Sequence, residues 1–131
     1  MLDYIVIDNN NADLYQDGFI KLYQENFKES PYCDDCSYEN ILNIWNSHKD
    51  KGLIIVCSHH LEKTVIGLVC GHKANVKVTD ETNQIMDEFK NKNKSADLEN
   101  AVHISELAIA KGYRNRKEIA IRLINYFSDK I

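Results

Sequence analysis

A short basic turn near the C-terminus carries the side chains with the clearest chemical potential. The turn runs from Lys111 to Lys117, contains Arg114 and Arg116, and is followed by residues with helical periodicity. The first N–H groups of a helix have no partner within the helix, and together with nearby cations they attract an anion. Phosphate is the natural ligand for such a site, so the turn predicts a phosphate-binding position.

The strand before this turn has an irregular hydrophobic pattern. Its apolar residues change from even to odd positions at the polar pair Ser105–Glu106: Val102, Ile104, Leu107 and Ile109. Strict alternation would keep one phase. A slip of one residue is what a β-bulge produces, because the extra residue turns the following side chains over and leaves backbone groups unpaired. Unpaired backbone amides can bind a ligand, so strand and turn together predict a binding site.

Two stretches, ISELAIA (residues 104–110) and GYRNRKEIAIRLI (residues 112–124), resemble the acetyl-coenzyme A binding motif of the GCN5-related N-acetyltransferases. In that family a bulged strand holds the pantetheine arm, and an arginine-rich, glycine-rich turn cradles the pyrophosphate. The family turn usually reads Arg or Gln, two residues, Gly, one residue, then Gly or Ala. Aligned through Ala120, this chain has Asn115 at the first position and Glu118 at the glycine, where it adds bulk and a negative charge.

The resemblance implies a transferase, an acyl-coenzyme A dependent N-acyltransferase that moves an acetyl group from acetyl-coenzyme A to a primary amine. Glu106 would be the general base that deprotonates the acceptor amine, with His103 as a weaker alternative. The coenzyme would be held by residues of the strand and the turn, namely Leu107, Ala108, Ile109, Arg114, Asn115, Arg116, Lys117 and Ala120. The sequence does not choose between a small-molecule amine and a protein lysine as acceptor, and it predicts no metal.

The same residues also have interpretations without function. Glu106 would be a solvated or locally hydrogen-bonded side chain at a strand irregularity. Glu118 and Arg122 lie four residues apart and would pair on the solvent face of the final helix. Tyr113 is most simply a packing residue, and Trp45 a core aromatic rather than a wall of an acceptor pocket. The alternative function is therefore a truncated or degenerate relative that serves as a binding or assembly module without turnover of its own.

Hydrophobic periodicity predicts the elements that must position the strand and the turn, in the order β, α, α, β, β, α, β, α. The predicted elements are the strand Leu2–Ile7, the helix Ala12–Lys28, a helix capped by Ser37 that ends before Gly52, the strands Leu53–Cys57 and Val65–Cys70, a short helix around Ile85–Phe89 with a loop at Lys90–Asn100, the strand Ala101–Ala110 and the final helix. The predicted fold class is α/β, with a mixed, mostly antiparallel sheet flanked by helices.

The resemblance assigns residues 1–131 to a single acetyltransferase-like domain that lacks the strand, helix and hairpin with which the family continues. The sheet would then end at the bulged strand and expose an apolar edge, which proteins generally cover or pair. A second copy of the chain, or another chain, is expected to cover that edge.

Composition and charge narrow the classes of function. The net charge of −4 and the pI near 5.7 argue against a broad nucleic-acid surface. No apolar run approaches the length of a membrane span and no signal peptide is evident, so a cytoplasmic protein is expected. The four cysteines are expected to be thiols rather than bridges in such a compartment. Cys33 and Cys36 have the spacing of half a zinc site without a second pair to complete it, and Cys57 and Cys70 are predicted core residues.

Overall fold

A four-stranded sheet forms the centre of the computed structural model. Its strands are β1 (Leu2–Val6), β2 (Leu53–His59), β3 (Val65–Lys73) and β4 (Val102–Ile109), and they lie in that order across the sheet. The structure describes residues 1–28, 36–74, 76, 84–85, 87–88, 91–92 and 101–131. The α/β class, with a sheet flanked by helices, is confirmed, and every pairing between the described strands is antiparallel.

Helices cover both faces of this sheet. α1 (Ala12–Phe27) and α2 (Tyr38–Lys51) pack on one side, called the α1/α2 face below, and α3 (Lys117–Lys130) packs on the other. The Ser37 hydroxyl caps α2 as predicted, because it accepts a hydrogen bond from the Asn40 N–H at 3.2 Å. A 3₁₀ turn (Lys111–Tyr113) follows β4. The basic turn therefore connects the edge of the sheet to the start of α3.

The strands β2 and β3 are buried on both faces, so their side chains alternate between two cores. Side chains on the α1/α2 face include Ile54, Val56, Leu68 and Cys70. Side chains on the opposite face pack with a stripe from α3: Ile55, Cys57, Val69, Ile119, Leu123 and Phe127. The predictions that Cys57 and Cys70 are core residues are confirmed, and Trp45 is a fully buried core aromatic.

The predicted bulge in β4 is present. Cys70 of β3 lies opposite Glu106, and the next residue, Gly71, lies opposite Ile104, so Ser105 is the extra residue. Gly71 allows the two backbones to approach closely at this point. A Cβ atom there would lie 2.1 Å from the carbonyl oxygen of His103. The phase change in the hydrophobic pattern therefore marks the irregularity correctly, and a glycine on the neighbouring strand accommodates it.

Several predicted boundaries differ from the structure. β2 continues to His59 and β3 to Lys73, because the backbone of each strand remains paired beyond its last apolar side chain. Residues 91 and 92 are helical where a loop was predicted, and the remainder of that predicted loop lies outside the described residues. In the part of the chain that the structure describes, no helix has the length and hydropathy needed to cross a bilayer.

The cysteine prediction needs one correction. Cys36 is disulfide-bonded, whereas thiols were expected at all four positions. That expectation assumed a reducing compartment, where disulfides are rare. The Cys36 disulfide does not agree with that assumption. Cys57 and Cys70 are buried free thiols as expected, and Cys33 lies outside the described residues.

Candidate active site at the bulge of β4

A group of polar side chains lies on the otherwise apolar α1/α2 face, beside the bulge. Its members, called the polar cluster below, are Tyr23 of α1, His48 of α2, His72 of β3, and His103, Ser105 and Glu106 of β4. His103 and Glu106 are three residues apart and would face opposite sides of a regular strand. The extra residue at the bulge brings both onto the same face.

Glu106, the predicted general base, is half-buried in this cluster. The Tyr23 hydroxyl donates a hydrogen bond to Glu106 Oε1 at 2.8 Å, and Tyr23 is only 6% exposed. The Tyr23 contact therefore orients the carboxylate from α1, 83 residues away in sequence. A carboxylate accepts hydrogen bonds through two oxygens, and the Tyr23 hydroxyl contacts one of them, Oε1.

Cys70, directly opposite Glu106, does not supply a reactive thiolate. Burial raises the pKa of the Cys70 thiol far above its ordinary value, and the negative charge of Glu106 raises it further. The thiol therefore remains protonated at neutral pH and acts as a core side chain. Of Cys70 and Glu106, only Glu106 is a candidate proton acceptor.

His48 was not predicted from the sequence, although it lies at the centre of the cluster. Its Nε2 atom is 2.9 Å from Ser105 Oγ, and its Nδ1 atom is 2.8 Å from the carbonyl oxygen of Ile44. The ring is 1% exposed. Burial lowers the pKa of His48, and the charges of His72 and His103 lower it further, so the ring is neutral at pH 7.

The other two histidines extend the cluster along β3 and β4. The His72 ring centroid lies 6.2 Å from that of His48 and 5.1 Å from that of His103. His72 Nδ1 donates to the carbonyl oxygen of Lys73 at 2.7 Å, while its buried Nε2 has no hydrogen-bond partner among the described residues. Within the described ranges, no group of three or more His, Cys, Asp or Glu side chains could hold a metal ion.

The buried histidines make stability depend on pH. Burial lowers the pKa of both His48 and His103 from 6.5, so the unfolded chain binds protons more readily than the folded chain. We expect the free energy of unfolding to be constant above about pH 7 and to decrease as the pH falls below 6.5. Denaturant unfolding at a series of pH values measures this. In His48→Gln the free energy of unfolding should fall less steeply below pH 6.5, whereas the control His60→Gln, at an exposed site, should behave like the wild-type chain. Equal slopes for the wild-type chain and both variants would contradict the expectation.

Arg114, assigned to the phosphate cradle, instead joins the basic turn to α1. Its Nε donates to the carbonyl oxygen of Ile109 at 3.1 Å, and its Nη2 donates to Asn26 Oδ1 at 2.7 Å. Tyr113, expected to be a packing residue, also has a polar contact, because its hydroxyl is hydrogen-bonded to His59 Nε2. These contacts fix the conformation of the turn against α1 and β2.

The start of α3 holds an ion pair at the place where a phosphate was expected. Arg116 Nε donates to Glu118 Oε1 at 2.9 Å, and both side chains are about half-exposed. Hydrogen bonds from Arg116, and then from the backbone, hold the pKa of Glu118 below its usual value. Glu118 pairs with Arg116 rather than with Arg122 as predicted, although the charge of Arg122 also lowers the pKa of Glu118. Three other residues were predicted to contact the coenzyme. Asn115 and Lys117 are exposed, and Ala120 is half-buried.

The strand residues assigned to the pantetheine arm are divided between the two faces. Ala108 is buried against α1 and α2, Ile109 packs with the core around α3, and Leu107 is 36% exposed. β4 pairs with β3 on one side and with no described strand on the other. Among the described strands, its outer backbone groups therefore have no partner.

No family model, curated protein or solved structure matches this chain. The geometry of the polar cluster and of the basic turn therefore carries the functional conclusion. Tyr23 and Asn26 connect these two sites, because they lie three residues apart on α1 and hold Glu106 and Arg114 respectively.

Proposed function

We propose that this chain is an acyl-coenzyme A dependent N-acyltransferase that transfers an acetyl group from acetyl-coenzyme A to a primary amine. The observation that carries the proposal is the arrangement along α1. One helical turn holds Glu106 at the bulge through Tyr23 and holds the basic turn through Asn26 and Arg114. A base and a basic turn held by the same helix are two of the components that an amine and a coenzyme thioester require for reaction.

Glu106 has the role of general base in this proposal. A primary amine is protonated in water and must lose a proton before its nitrogen can attack the thioester carbonyl carbon. Glu106 accepts that proton directly or through one water molecule, while Tyr23 maintains the orientation of the carboxylate. The carbon–nitrogen bond then forms, the carbon–sulfur bond breaks, and coenzyme A leaves as the thiol.

The residues at the start of α3 fit the pyrophosphate of the coenzyme in part. No side chain forms a cap hydrogen bond at the N-terminus of α3, but the Ile119 N–H already donates to the Arg116 carbonyl oxygen at 3.1 Å and a backbone N–H bonds the Glu118 carboxylate. An anion would therefore meet a terminus whose N–H groups are partly used. The exposed side chain of Lys117 lies beside them. Glu118 acts against this, because its carboxylate is already paired with Arg116 at the same end of the helix. Acetyl-coenzyme A must therefore compete with Glu118 for Arg116.

Removing this competition should strengthen coenzyme binding. Glu118→Gln deletes the negative charge, releases the Arg116 guanidinium, and preserves the size of the side chain. We expect the affinity for acetyl-coenzyme A to rise by about threefold to tenfold, the effect of one charge near a helix terminus. Isothermal titration calorimetry measures the change. Glu39→Gln is the matched control, since Glu39 lies in the first turn of α2; an equal gain in both variants would contradict the assignment of the site to α3.

The proposal as a whole is tested by titrating the purified chain with acetyl-coenzyme A. We expect saturable binding of one coenzyme per chain, weakened at least about tenfold by Arg114→Ala combined with Arg116→Ala. Arg122→Ala is the control, because Arg122 is an exposed cation on the same helix. No binding at millimolar coenzyme would reject the transferase. The alternative of a binding or assembly module without turnover would then stand, since the Arg116–Glu118 pair already occupies the predicted anion site.

A partner on the outer edge of β4 is part of the same proposal. Val102 and Leu107 on that strand are 39% and 36% exposed, and no described strand pairs with β4 on this side. A second copy of the chain, or another chain, would pair with the outer backbone groups of β4, for which the described strands supply no partner. Light scattering gives the mass in solution, and a stable monomer would remove this part of the proposal. Because the proposed co-substrate is intracellular, the proposed location is the cytoplasm, where the disulfide at Cys36 would be unusual.

A further inference from the structure

Ser105 and His48 form a pair that the acetyl transfer does not use. Ser105 is the bulged residue of β4, and its Oγ atom lies 2.9 Å from Nε2 of His48 on α2. His48 Nδ1 lies 2.8 Å from the carbonyl oxygen of Ile44. A carbonyl oxygen only accepts hydrogen bonds, so Nδ1 carries the ring proton. In a neutral ring Nε2 is then the acceptor, and the Ser105 hydroxyl donates to it.

This geometry provides the components of an activated nucleophile. A weakly acidic hydroxyl needs a base within hydrogen-bond distance, and the base needs a third group that fixes its tautomer and orientation. Nε2 of His48 is the base, and the Ile44 carbonyl oxygen is the orienting group. The position of the ring on α2 further fixes its orientation, because His48 is 1% exposed.

Ser105 differs from His48 in its access to solvent. Ser105 is only half-buried, whereas the ring behind it is fully enclosed. The serine has no register partner on β3 and lies on the edge strand of the described sheet. The exposed part of Ser105 is therefore where a small acyl donor, and later a water molecule, would approach, while the ring of His48 is held in place behind it.

We propose that Ser105 and His48 are a nucleophile and base that take up an acyl group from an activated ester or thioester and then release it to water. Ser105 Oγ attacks the acyl carbon, its proton passes to His48 Nε2, and the bond from that carbon to the leaving oxygen or sulfur breaks. The proton then passes to the leaving group. Water attacks the resulting serine ester with His48 as base, the Ser105 hydroxyl is regenerated, and a carboxylic acid departs. This activity does not depend on coenzyme binding.

The experiment uses the full chain and p-nitrophenyl acetate as the acyl donor. We expect a burst of one equivalent of p-nitrophenolate, followed by slower turnover, and a mass increase of one acetyl group on the peptide that contains Ser105. Ser105→Ala should abolish the burst, and His48→Gln should slow it by about a hundredfold or more. Ser128→Ala and His60→Gln, which change an exposed serine and an exposed histidine, are the matched controls and should retain it.

The dependence of the burst on pH separates a base from a packing residue. His72 on β3 and His103 on β4 are the titratable groups that act on His48. Because burial lowers the pKa of His48 from 6.5, the burst rate should be constant above that pH and should fall only under more acidic conditions. A rate that follows a higher pKa would overturn the role of His48.

Peptide mapping of the wild-type chain needs no variant and so remains decisive if a variant fails to fold. Acetylation at a residue other than Ser105, or an unchanged burst in Ser105→Ala, would overturn the inference. Ser105→Cys should form the corresponding thioester. Acetylated Ser105 in a chain that does not bind acetyl-coenzyme A would support this pair and reject the transferase. Binding of acetyl-coenzyme A by a chain in which Ser105 is not acetylated would support the transferase and reject this pair.

Discussion

Replacing Glu106 by glutamine should abolish most amine acetylation and leave acetyl-coenzyme A binding unchanged. Glutamine preserves the length of the side chain and can still accept the hydrogen bond from Tyr23, but it cannot accept a proton from the amine. The loss of a general base lowers turnover by about 10² to 10⁴. The measurement is release of the coenzyme thiol with polyamine, aminoglycoside and lysine-peptide acceptors, together with calorimetric titration of the coenzyme.

Two further variants make this result specific. Tyr23→Phe removes only the hydroxyl that orients the carboxylate, so turnover should fall by a smaller factor, about tenfold, at the same coenzyme affinity. Glu25→Gln changes an exposed carboxylate two residues further along α1 and should have no effect. Wild-type turnover in Glu106→Gln would remove Glu106 from the mechanism. Equal losses of binding and turnover would mean that Glu106 positions the coenzyme instead.

Gly71→Ala should be the most destabilising single-methyl substitution near the site. The added Cβ would lie 2.1 Å from the His103 carbonyl oxygen, 2.8 Å from Phe127 Cζ and 3.0 Å from Ile104 Cα. Two of these three atoms belong to the backbone of β4, so relief requires the bulged strand to move away from β3. We expect the free energy of unfolding to fall by about 3 kcal/mol, the upper range for overpacking a core. Urea denaturation measures it.

Gly112→Ala is the matched control, because a Cβ at Gly112 would have no neighbour within 4 Å. Neither glycine has a positive φ, so the two substitutions differ in the space around the new methyl group rather than in backbone strain. Gly112→Ala should change the free energy of unfolding by less than about 0.5 kcal/mol. Equal stabilities for the two variants would show that the β3–β4 contact relaxes without cost.

The sequence predicted those features that depend on short stretches of chain. The bulge at Ser105 follows from a change of phase within eight residues of strand, and the cap of α2 follows from a serine before a helical pattern. Strand alternation and helix capping are local properties, so one sequence is enough to recognise them. The assignment of Cys57 and Cys70 to the core was correct for the same reason.

The polar cluster could not be predicted, because its contacts are long-range. Glu106 and Tyr23 are separated by 83 residues, and Ser105 and His48 by 57. Each side chain has an ordinary local context, and His48 in particular continues the buried side of α2 after Trp45. Only the packing of the helices on β3 and β4 brings these groups together.

The error at Glu118 has a more local cause. Helical spacing favours a partner four residues later, at Arg122. Arg116 was available at a shorter separation because, as the residue before the helix, it has φ −95° and ψ 81° rather than helical angles. Its side chain therefore extends along the first turn of α3 to the carboxylate of Glu118. Pairing rules for helix interiors do not describe the residue that precedes a helix.

The close contact at Gly71 determines when the candidate site can exist during folding. Around this one residue lie the carbonyl oxygen of His103 and the ring of Phe127, and the Gly71 carbonyl oxygen in turn lies against Gly52. Segments from the end of α2 to the last turns of α3 therefore meet at one point. On the ribosome, the β2–β3 hairpin can form early from local contacts. The bulge needs β4, and the ring of Phe127 packs beside it only after α3 has emerged, so both candidate chemistries are expected late in synthesis.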